Sequence, residues 1–364
     1  MPIPFLNLKK INQNLNSELQ GAFLKFLDSG QYILGSEVAD FETNFANYCE
    51  SNYCVGLANG LDALILGLQS LDLPTNSEIL VPANTYYASI LSILKAGYKP
   101  VLVEPNIETY NIDSSKIESH ITNNTSAILA VNLYGKMCDF EALNRICKDH
   151  DLKLIVDAAQ SHGGIYDGSK KCIGADVTAY SFYPSKNLGA LSDGGAIVTD
   201  DAQIYNKIKS LRNYGSSIKY QFEYQGINSR LSEVQASFLK LKLRYLDEEL
   251  LKRRQIARIY LTEIKNKLIS LPSKTSIDTD AWHLFVIRTS YRERLIKHLT
   301  EKEIGFEIHY PTPPHKQKAL KDFNYLSLPI TEKIHDEVLS IPLNSTLTNS
   351  ELAYIIDTIN SFRI

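Results

Sequence analysis

The pattern of apolar and polar positions along the chain predicts helices first and then short strands that alternate with helices. Apolar residues recur at helical spacing in two early segments, at Leu15, Leu19, Phe23 and Phe26, before a stop at Ser29-Gly30, and then at Val38, Phe41, Phe45 and Tyr48. Short apolar runs follow at residues 53–58, 79–81, 101–103, 128–133 and 154–156, separated by helix-length segments such as 61–71 and 87–96. Such continuous apolar strands predict a largely parallel sheet with helices on both faces, an α/β fold.

The C-terminal third has a different order of elements. Residues 231–266 keep a helical period for much longer than an average helix, which predicts one or two long helices. A strand is predicted at 282–288, and helices are predicted near 293–303 and 350–361. We therefore expect a large domain at 1–250, which includes the N-terminal helices, and a smaller α+β domain at 251–364.

Composition excludes several classes of protein. The 364 residues are 44% hydrophobic and 22% charged, as in ordinary globular proteins. The 38 basic and 41 acidic residues nearly balance, so nucleic-acid binding is not expected. We find no signal-like N-terminus and no apolar run of about 18 residues, so we expect a cytoplasmic protein outside the membrane. The five cysteines match no zinc spacing, which predicts buried, reduced thiols and no metal site.

Candidate chemistry is predicted where the apolar strands end, because ligands of such sheets collect at the carboxyl ends of the strands. Asp157 ends one strand, and Lys186 follows 29 positions later in a Gly-rich segment. Separately, the aspartate could be a helix cap and the lysine a solvated surface charge. Together they fit a lysine that forms a Schiff base with pyridoxal phosphate and a carboxylate that keeps the pyridine nitrogen protonated.

A phosphorylated cofactor also needs an anion site. The segment LANGLDALILGL places Asn59-Gly60 between an apolar strand and a helix that begins near Leu61, and free N–H groups at a helix start suit a phosphate. The alternative is an ordinary turn with Asn59 as N-cap. Tyr86 could stack on a flat ring, or it could pack in the core.

These residues and motifs resemble the DegT-type sugar aminotransferases, which have the aspartate-aminotransferase fold (fold type I) and use pyridoxal phosphate on nucleotide-linked keto sugars. The resemblance runs from LGSEVADFE at Leu34 to IHYPTPPHKQ at Ile308. It implies that Lys186 forms the Schiff base and Asp157 faces the pyridine nitrogen. The other cofactor contacts that it implies are Gln160 to the phenolic oxygen, Tyr86 as the stacking ring, Ser181 and the Gly60-Leu61 amides to the phosphate, and Asn228 reaching over from a partner subunit.

Within this family, segments such as VPANTYYASILSILKAG and RNYGSSIKY resemble the branch that aminates C3 of thymidine-diphosphate (dTDP) 3-keto-6-deoxyhexoses. The resemblance implies a homodimer with a shared active site and L-glutamate as amino donor. It also implies a set of substrate contacts: Tyr183, His309 and Tyr310 at the sugar and diphosphate, and Lys219 and Tyr220 from the neighbouring subunit. Taken alone, His309 is more typical of a core residue, and Lys219 could equally be a solvated charge.

There are four alternatives to this function, and the sequence argues against the dehydratase and the dehydrogenase among them. Relatives that aminate C4 share the cofactor residues and differ in the orientation of the sugar in the active site. A related sugar dehydratase has His where this chain has Lys186. A catalytically silent sensor or scaffold could use the same fold, since fold does not imply function. A Rossmann dehydrogenase would need a G-x-G-x-x-G turn, which LANGLDAL does not provide.

Overall fold

A seven-stranded sheet forms the centre of the computed structural model, which describes residues 2–364. Its strands lie in the order β1-β7-β6-β5-β4-β2-β3, and β7 alone runs antiparallel to its neighbours. The largely parallel α/β sheet is thus confirmed. The strands are β1 (Tyr53–Leu57), β2 (Glu78–Pro82), β3 (Lys99–Val103), β4 (Thr125–Val131), β5 (Lys153–Asp157), β6 (Val177–Ser181) and β7 (Gly195–Thr199).

Ten helices accompany this sheet along the chain. They are α1 (Leu8–Gln13), α2 (Asn16–Ser29), α3 (Ser36–Tyr48), α4 (Gly60–Ser70), α5 (Tyr87–Lys95), α6 (Ser114–Ile117), α7 (Phe140–Asp149), α8 (Ala202–Leu211), α9 (Glu233–Leu243) and α10 (Leu246–Glu263). The last two are the predicted long helical segment, which is interrupted at Arg244-Tyr245.

Both faces of the sheet are buried. Ile128 and Ala130 of β4 pack in one core with α3, α7 and α9, whereas Ala127 and Leu129 pack in the other core with α4, α5 and α8. Successive side chains of a strand point to opposite faces, so a strand covered on both sides is apolar throughout. This explains why the strands read as continuous apolar runs.

The C-terminal lobe has its own small sheet and core. It contains β8 (Phe285–Arg288) antiparallel to β9 (Val338–Ile341), with α11 (Arg292–Glu301), α12 (Pro329–Glu337) and α13 (Asn349–Ser361). Four 3₁₀ helices complete the structure at Glu118–His120, Leu133–Gly135, Pro314–Lys316 and Lys318–Phe323.

The N-terminal segment of the chain contacts the C-terminal lobe. The Ile3 amide donates to the Glu303 carbonyl at 2.8 Å, and the Gly305 amide donates to the Ile3 carbonyl at 2.7 Å, so the N-terminal segment pairs with the C-terminal lobe. The predicted boundary between residues 250 and 251 lies inside α10. The division at that position stays a prediction.

The strand predicted at 282–288 is shorter than expected. It begins at Phe285, because the residues before it bond to the turn after β4 instead: the Leu284 amide donates to the Tyr134 carbonyl at 3.2 Å, and the Ala281 amide donates to the Gly135 carbonyl at 2.8 Å. This exchange ties the small lobe to the carboxyl edge of the large sheet.

All five cysteines are buried free thiols, as their number and spacing predict. In the part of the chain that the structure describes, no helix combines the length and the hydrophobicity that a membrane crossing requires.

Candidate active site

A cavity of about 480 Å³ opens at the carboxyl edge of the central sheet. Asp157 is the last residue of β5, Ser181 is the last residue of β6, and Gly60 follows β1. Because six strands are parallel, these residues share one edge. The cavity brings together most of the predicted site residues: Gly60, Leu61, Tyr86, Asp157, Gln160, Ser181, Tyr183, Lys186, His309 and Tyr310.

Lys186 reaches this cavity from the loop between β6 and β7. Its amide donates to the Tyr183 carbonyl at 2.8 Å, which turns the loop back over the strand end. Burial lowers the pKa of the Lys186 amine to about 8, although the nearby Asp157 carboxylate acts in the opposite direction. A lysine of lowered pKa has much more free amine near neutral pH than an ordinary lysine, and the free amine is the form that attacks a carbonyl carbon.

Asp157 is held at both carboxylate oxygens. The Ser89 hydroxyl donates to Oδ2 at 2.7 Å, and the Ala159 amide donates to Oδ1 at 3.1 Å. Burial raises the pKa of Asp157, whereas these two hydrogen bonds and Lys186 lower it. An oriented carboxylate in such a place strongly favours a cationic partner, such as a protonated ring nitrogen.

The turn at the start of α4 forms a narrow cradle. Asn59 accepts the Asp62 amide at 2.8 Å, so it is the N-cap of α4, and the free amides of the first turn lie beside the end of β6. A Cβ on Gly60 would lie 2.6 Å from Ser181 Cβ, so only glycine allows this approach. The N-cap and the anion site are compatible, because the cap uses one amide and leaves those of Gly60 and Leu61 for an anion.

Two tyrosines and a glutamine form one side of the cavity. The Tyr86 ring is 53% exposed, so it does not pack in the core, and its centroid lies 4.9 Å from that of Tyr310. Gln160 donates through Nε2 to the Tyr310 hydroxyl at 2.9 Å and accepts the Tyr134 amide at 2.6 Å. Tyr86 therefore offers a free ring face, and Gln160 is fixed by neighbours from both lobes.

Histidines beside the cavity are neutral at physiological pH. Burial, and then the charge of Lys186, lower the pKa of His309 to about 4, and its Nδ1 lies 2.9 Å from Ser340 Oγ. Burial also lowers the pKa of His283 well below its usual value. Neutral imidazoles can donate or accept hydrogen bonds to a sugar or phosphate oxygen without adding charge.

Three predicted residues lie outside this cavity. Lys219 and Tyr220 are at the tip of an exposed loop, where the Tyr220 side chain is 79% exposed. Asn228 pairs with Asn213 at the base of the same loop. Their role at the active site of a partner subunit stays a prediction.

The sequence reasoning missed several residues of the site. Thr85, Asp193 and His283 also line the cavity, and Ser89 binds Asp157 from outside it. Thr85 and Ser89 are four positions apart at the start of a helix, which is the spacing of neighbours on one helix face. That spacing was a usable signal, but nothing local connects these hydroxyls to Asp157.

The described side chains fit pyridoxal phosphate. The Gly60 cradle with a hydroxyl at Ser181 suits its phosphate, the Asp157 carboxylate suits its ring nitrogen, and the Lys186 amine suits its aldehyde. The Tyr86 ring can cover one face of a flat heterocycle. Fold and site together define an α/β enzyme with an amine nucleophile and a buried carboxylate in one cavity.

The comparison with known proteins agrees with an enzyme of this kind. Residues 13–360 match the DegT/DnrJ/EryC1/StrS aminotransferase family, and the chain belongs to that family. The dTDP-3-amino-3,6-dideoxy-alpha-D-galactopyranose transaminase of Aneurinibacillus thermoaerophilus is 50% identical over 360 residues, which cover 99% of each chain. The predicted family and the predicted aminotransferase activity are therefore confirmed.

Solved structures are also similar over almost the whole chain. The crystal structure of DesV from S. venezuelae superimposes with a TM-score of 0.95 at 40% identity, covering 99% of this chain and 98% of that one. NtdA from Bacillus subtilis, crystallised with bound cofactor PMP, has a TM-score of 0.92 at 29% identity and covers 98% of this chain and 84% of its own. The fold is that of sugar aminotransferases.

Proposed function

We propose that this enzyme transfers the amino group of L-glutamate to C3 of a dTDP-3-keto-6-deoxyhexose and makes the dTDP-3-amino-3,6-dideoxyhexose. Its cofactor is pyridoxal phosphate. The observation that carries the proposal is that Lys186 and Asp157 face the same cavity at the carboxyl edge of the sheet. The full-length likeness to a transaminase named for a dTDP-3-amino-3,6-dideoxy sugar supports the choice of substrate.

Pyridoxal phosphate, when bound, carries the amino group between the two substrates and withdraws electrons from the bond that breaks. The amides of Gly60 and Leu61 and the Ser181 hydroxyl would hold its phosphate, and Tyr86 would cover its ring. Asp157 would hold the proton on the ring nitrogen, because a buried carboxylate is stabilised by a cation beside it.

Lys186 has two tasks in this scheme. Its Nζ would hold the cofactor between turnovers, and as a free amine it would take up and return the proton that is exchanged between C4′ of the cofactor and C3 of the sugar. The pKa of about 8 suits both tasks, since a general acid–base group works best near the operating pH.

Sugar recognition would combine residues of two subunits. Tyr183, His309 and Tyr310 line the cavity beside Lys186. The exposed Lys219 and Tyr220 would bind the diphosphate of a neighbouring subunit, with Asn228 at the neighbour's cofactor phosphate. We therefore infer a homodimer. A cytoplasmic location stays a prediction from the sequence.

The experiment that tests the substrate offers the purified enzyme L-glutamate with either a 3-keto or a 4-keto dTDP-6-deoxyhexose. We expect amination of the 3-keto sugar, identified by mass spectrometry and NMR of the product, and no product with Lys186→Ala. Preferential amination of the 4-keto sugar would replace the C3 assignment with a C4 aminotransferase. An enzyme that binds the cofactor but turns over neither sugar would favour the silent sensor or scaffold.

A further inference from the structure

Two hydroxyl groups at the start of α5 are connected to Asp157 by a chain of hydrogen bonds. Ser89 Oγ lies 2.7 Å from Asp157 Oδ2, and Thr85 Oγ1 lies 2.8 Å from Ser89 Oγ. Both residues are buried, with 1% of Thr85 and none of Ser89 exposed. Buried polar groups that are this well connected usually fix a particular side-chain arrangement.

The direction of this chain follows from the number of available protons. An ionised carboxylate only accepts hydrogen bonds, so Ser89 must donate its single hydroxyl proton to Asp157. The Ser89 oxygen is then an acceptor for the Thr85 hydroxyl. The order is Thr85 to Ser89 to Asp157, and each donor strengthens the next because hydrogen bonds in a chain polarise one another.

The hydrogen-bond chain lowers the pKa of Asp157 and so opposes the effect of burial. Burial raises the pKa of this carboxyl, and the Ser89 hydrogen bond is the largest influence that lowers it. Ser89 holds Oδ2 while the Ala159 amide holds Oδ1, so each oxygen has one protein donor. A carboxylate oxygen can accept more than one hydrogen bond, so each keeps room for another donor.

We propose that Ser89 and Thr85 are positioning residues that orient the Asp157 carboxylate toward the ring nitrogen of pyridoxal phosphate. This inference rests on the role of Asp157 in the proposed function. Ser89 lies outside the cavity and acts on the cofactor only through Asp157, because removal of its hydroxyl leaves Oδ2 without its donor. Thr85 lines the cavity, and removal of its hydroxyl also weakens the Ser89 donor.

Ser92 provides a matched control on the same helix. It is fully buried like Ser89 and lies one turn further along α5, but its hydroxyl donates to the Ser89 carbonyl at 2.7 Å and not to Asp157. Ser89→Ala and Ser92→Ala therefore remove the same atom from equally buried positions of one helix. Only Ser89→Ala removes a hydrogen bond from the series that runs from Thr85 through Ser89 to Asp157.

The experiment reconstitutes the apo form of each variant with pyridoxal phosphate that is ¹⁵N-labelled in the ring. The ¹⁵N chemical shift of the ring nitrogen reports its protonation, and a titration gives the dissociation constant of the cofactor. For Ser89→Ala we expect cofactor binding about 10- to 100-fold weaker, the range for a hydrogen bond to a charged group. The ring nitrogen should also lose its proton at a lower pH, because a less well held carboxylate stabilises the pyridinium less.

The chain of hydrogen bonds from Thr85 through Ser89 to Asp157 is called the relay below. Three further variants distinguish the loss of this relay from a general loss of folding. Thr85→Val, which keeps the side-chain shape, should shift both readouts in the same direction by less, Thr85→Ser should restore them, and Ser92→Ala should leave them at wild-type values. Circular dichroism and thermal unfolding check that each variant is folded. If Ser89→Ala and Thr85→Val both match Ser92→Ala in ring-nitrogen shift and cofactor affinity, the relay is wrong.

A double-mutant cycle tests whether Ser89 acts through Asp157. In an Asp157→Asn background, Ser89→Ala should cause no further change, because the carboxylate that it serves is gone. A full additional loss there would overturn the relay while leaving the proposed function intact. If Asp157→Asn alone keeps the wild-type ring-nitrogen shift, the role of Asp157 in the proposed function fails, and the relay fails with it.

Discussion

At the scale of single residues, the reactivity of Lys186 is set by its surroundings. The chain separates Lys186 from Asp157 by 29 positions, and the parallel pairing of β5 with β6 brings both to one cavity. A second lysine, Lys242, also has its pKa lowered to about 8 by burial, yet it lies outside that cavity and donates to the Gly189 carbonyl. Position in the cavity, and not basicity alone, therefore distinguishes the nucleophile.

Lys186→Ala should bind pyridoxal phosphate only noncovalently and should lose turnover, because no other amine lines the cavity among residues 2–364. Borohydride reduction of the holoenzyme followed by peptide mass mapping checks this. We expect the adduct of the wild type on Lys186, no adduct in the variant, and none on Lys242 in either protein. A reduced adduct on any lysine of Lys186→Ala would contradict the assignment.

The lowered pKa of Lys186 also predicts a pH dependence. Below about pH 8 the amine is mainly protonated and cannot attack an aldehyde, and above it the free amine predominates. The rate at which the apoenzyme captures pyridoxal phosphate covalently should therefore rise about tenfold between pH 7 and pH 9 and then level off. Stopped-flow absorbance measures this rate. A midpoint near 10.5, the ordinary lysine value, would show that the amine is not desolvated.

At the scale of elements, the periodicity of the sequence predicted most of the sheet, and the exceptions have physical reasons. β6 and β7 were not among the predicted strands, because they lie on either side of a Gly-rich segment that indicates a loop. β9 was not predicted either, because its four residues, three of them apolar, become a strand only through pairing with β8, which is distant in the sequence. Ser89 and His283 were not predicted as site residues for a similar reason, since their roles depend on contacts that no local pattern encodes.

The small lobe is fastened to the sheet through α12. Glu104, which follows β3, accepts the Ile330 amide at 2.8 Å, the Thr331 amide at 2.9 Å and the Thr331 hydroxyl at 2.6 Å. At the other end of α12, His335 Nδ1 lies 2.6 Å from the carbonyl oxygen of Tyr310 in the cavity. One carboxylate thus positions the helix that supports a predicted substrate residue.

Glu104→Ala should lower the free energy of unfolding by about 1–3 kcal/mol, because it leaves two helix amides and a hydroxyl without their acceptor. Urea unfolding measures this loss. Glu108→Ala, which removes a mostly exposed carboxylate 3.9 Å from Arg288, is the control and should change stability by less than about 0.5 kcal/mol. Equal effects of the two changes would mean that the α12 contact adds no stability.

At the scale of the whole molecule, the exposed apolar surface supports the proposed dimer. Large apolar side chains are exposed on α2 and just after it, and again around the Lys219-Tyr220 loop, and clusters of exposed apolar side chains mark surfaces of protein–protein contact. They are Phe23, Leu24, Leu27, Tyr32, Ile33, Ile218, Tyr220 and Phe222.

Mixing two inactive variants tests the shared site. Lys186→Ala and a disabled Asn228 variant should each be inactive alone, whereas a hybrid dimer contains one site with both native residues. After random exchange, about a quarter of the wild-type activity should return. Recovery of no activity after proven exchange, or an active monomer in light scattering, would contradict the shared site.

The most direct measurement of the central claim follows the amino group itself. The enzyme is incubated with ¹⁵N-labelled L-glutamate and a dTDP-3-keto-6-deoxyhexose, and the product is examined by NMR for coupling between ¹⁵N and the sugar carbons. We predict that the label appears at C3 with wild-type enzyme and is absent with Lys186→Ala. Label at C4, or equal labelling by Lys186→Ala, would contradict the account.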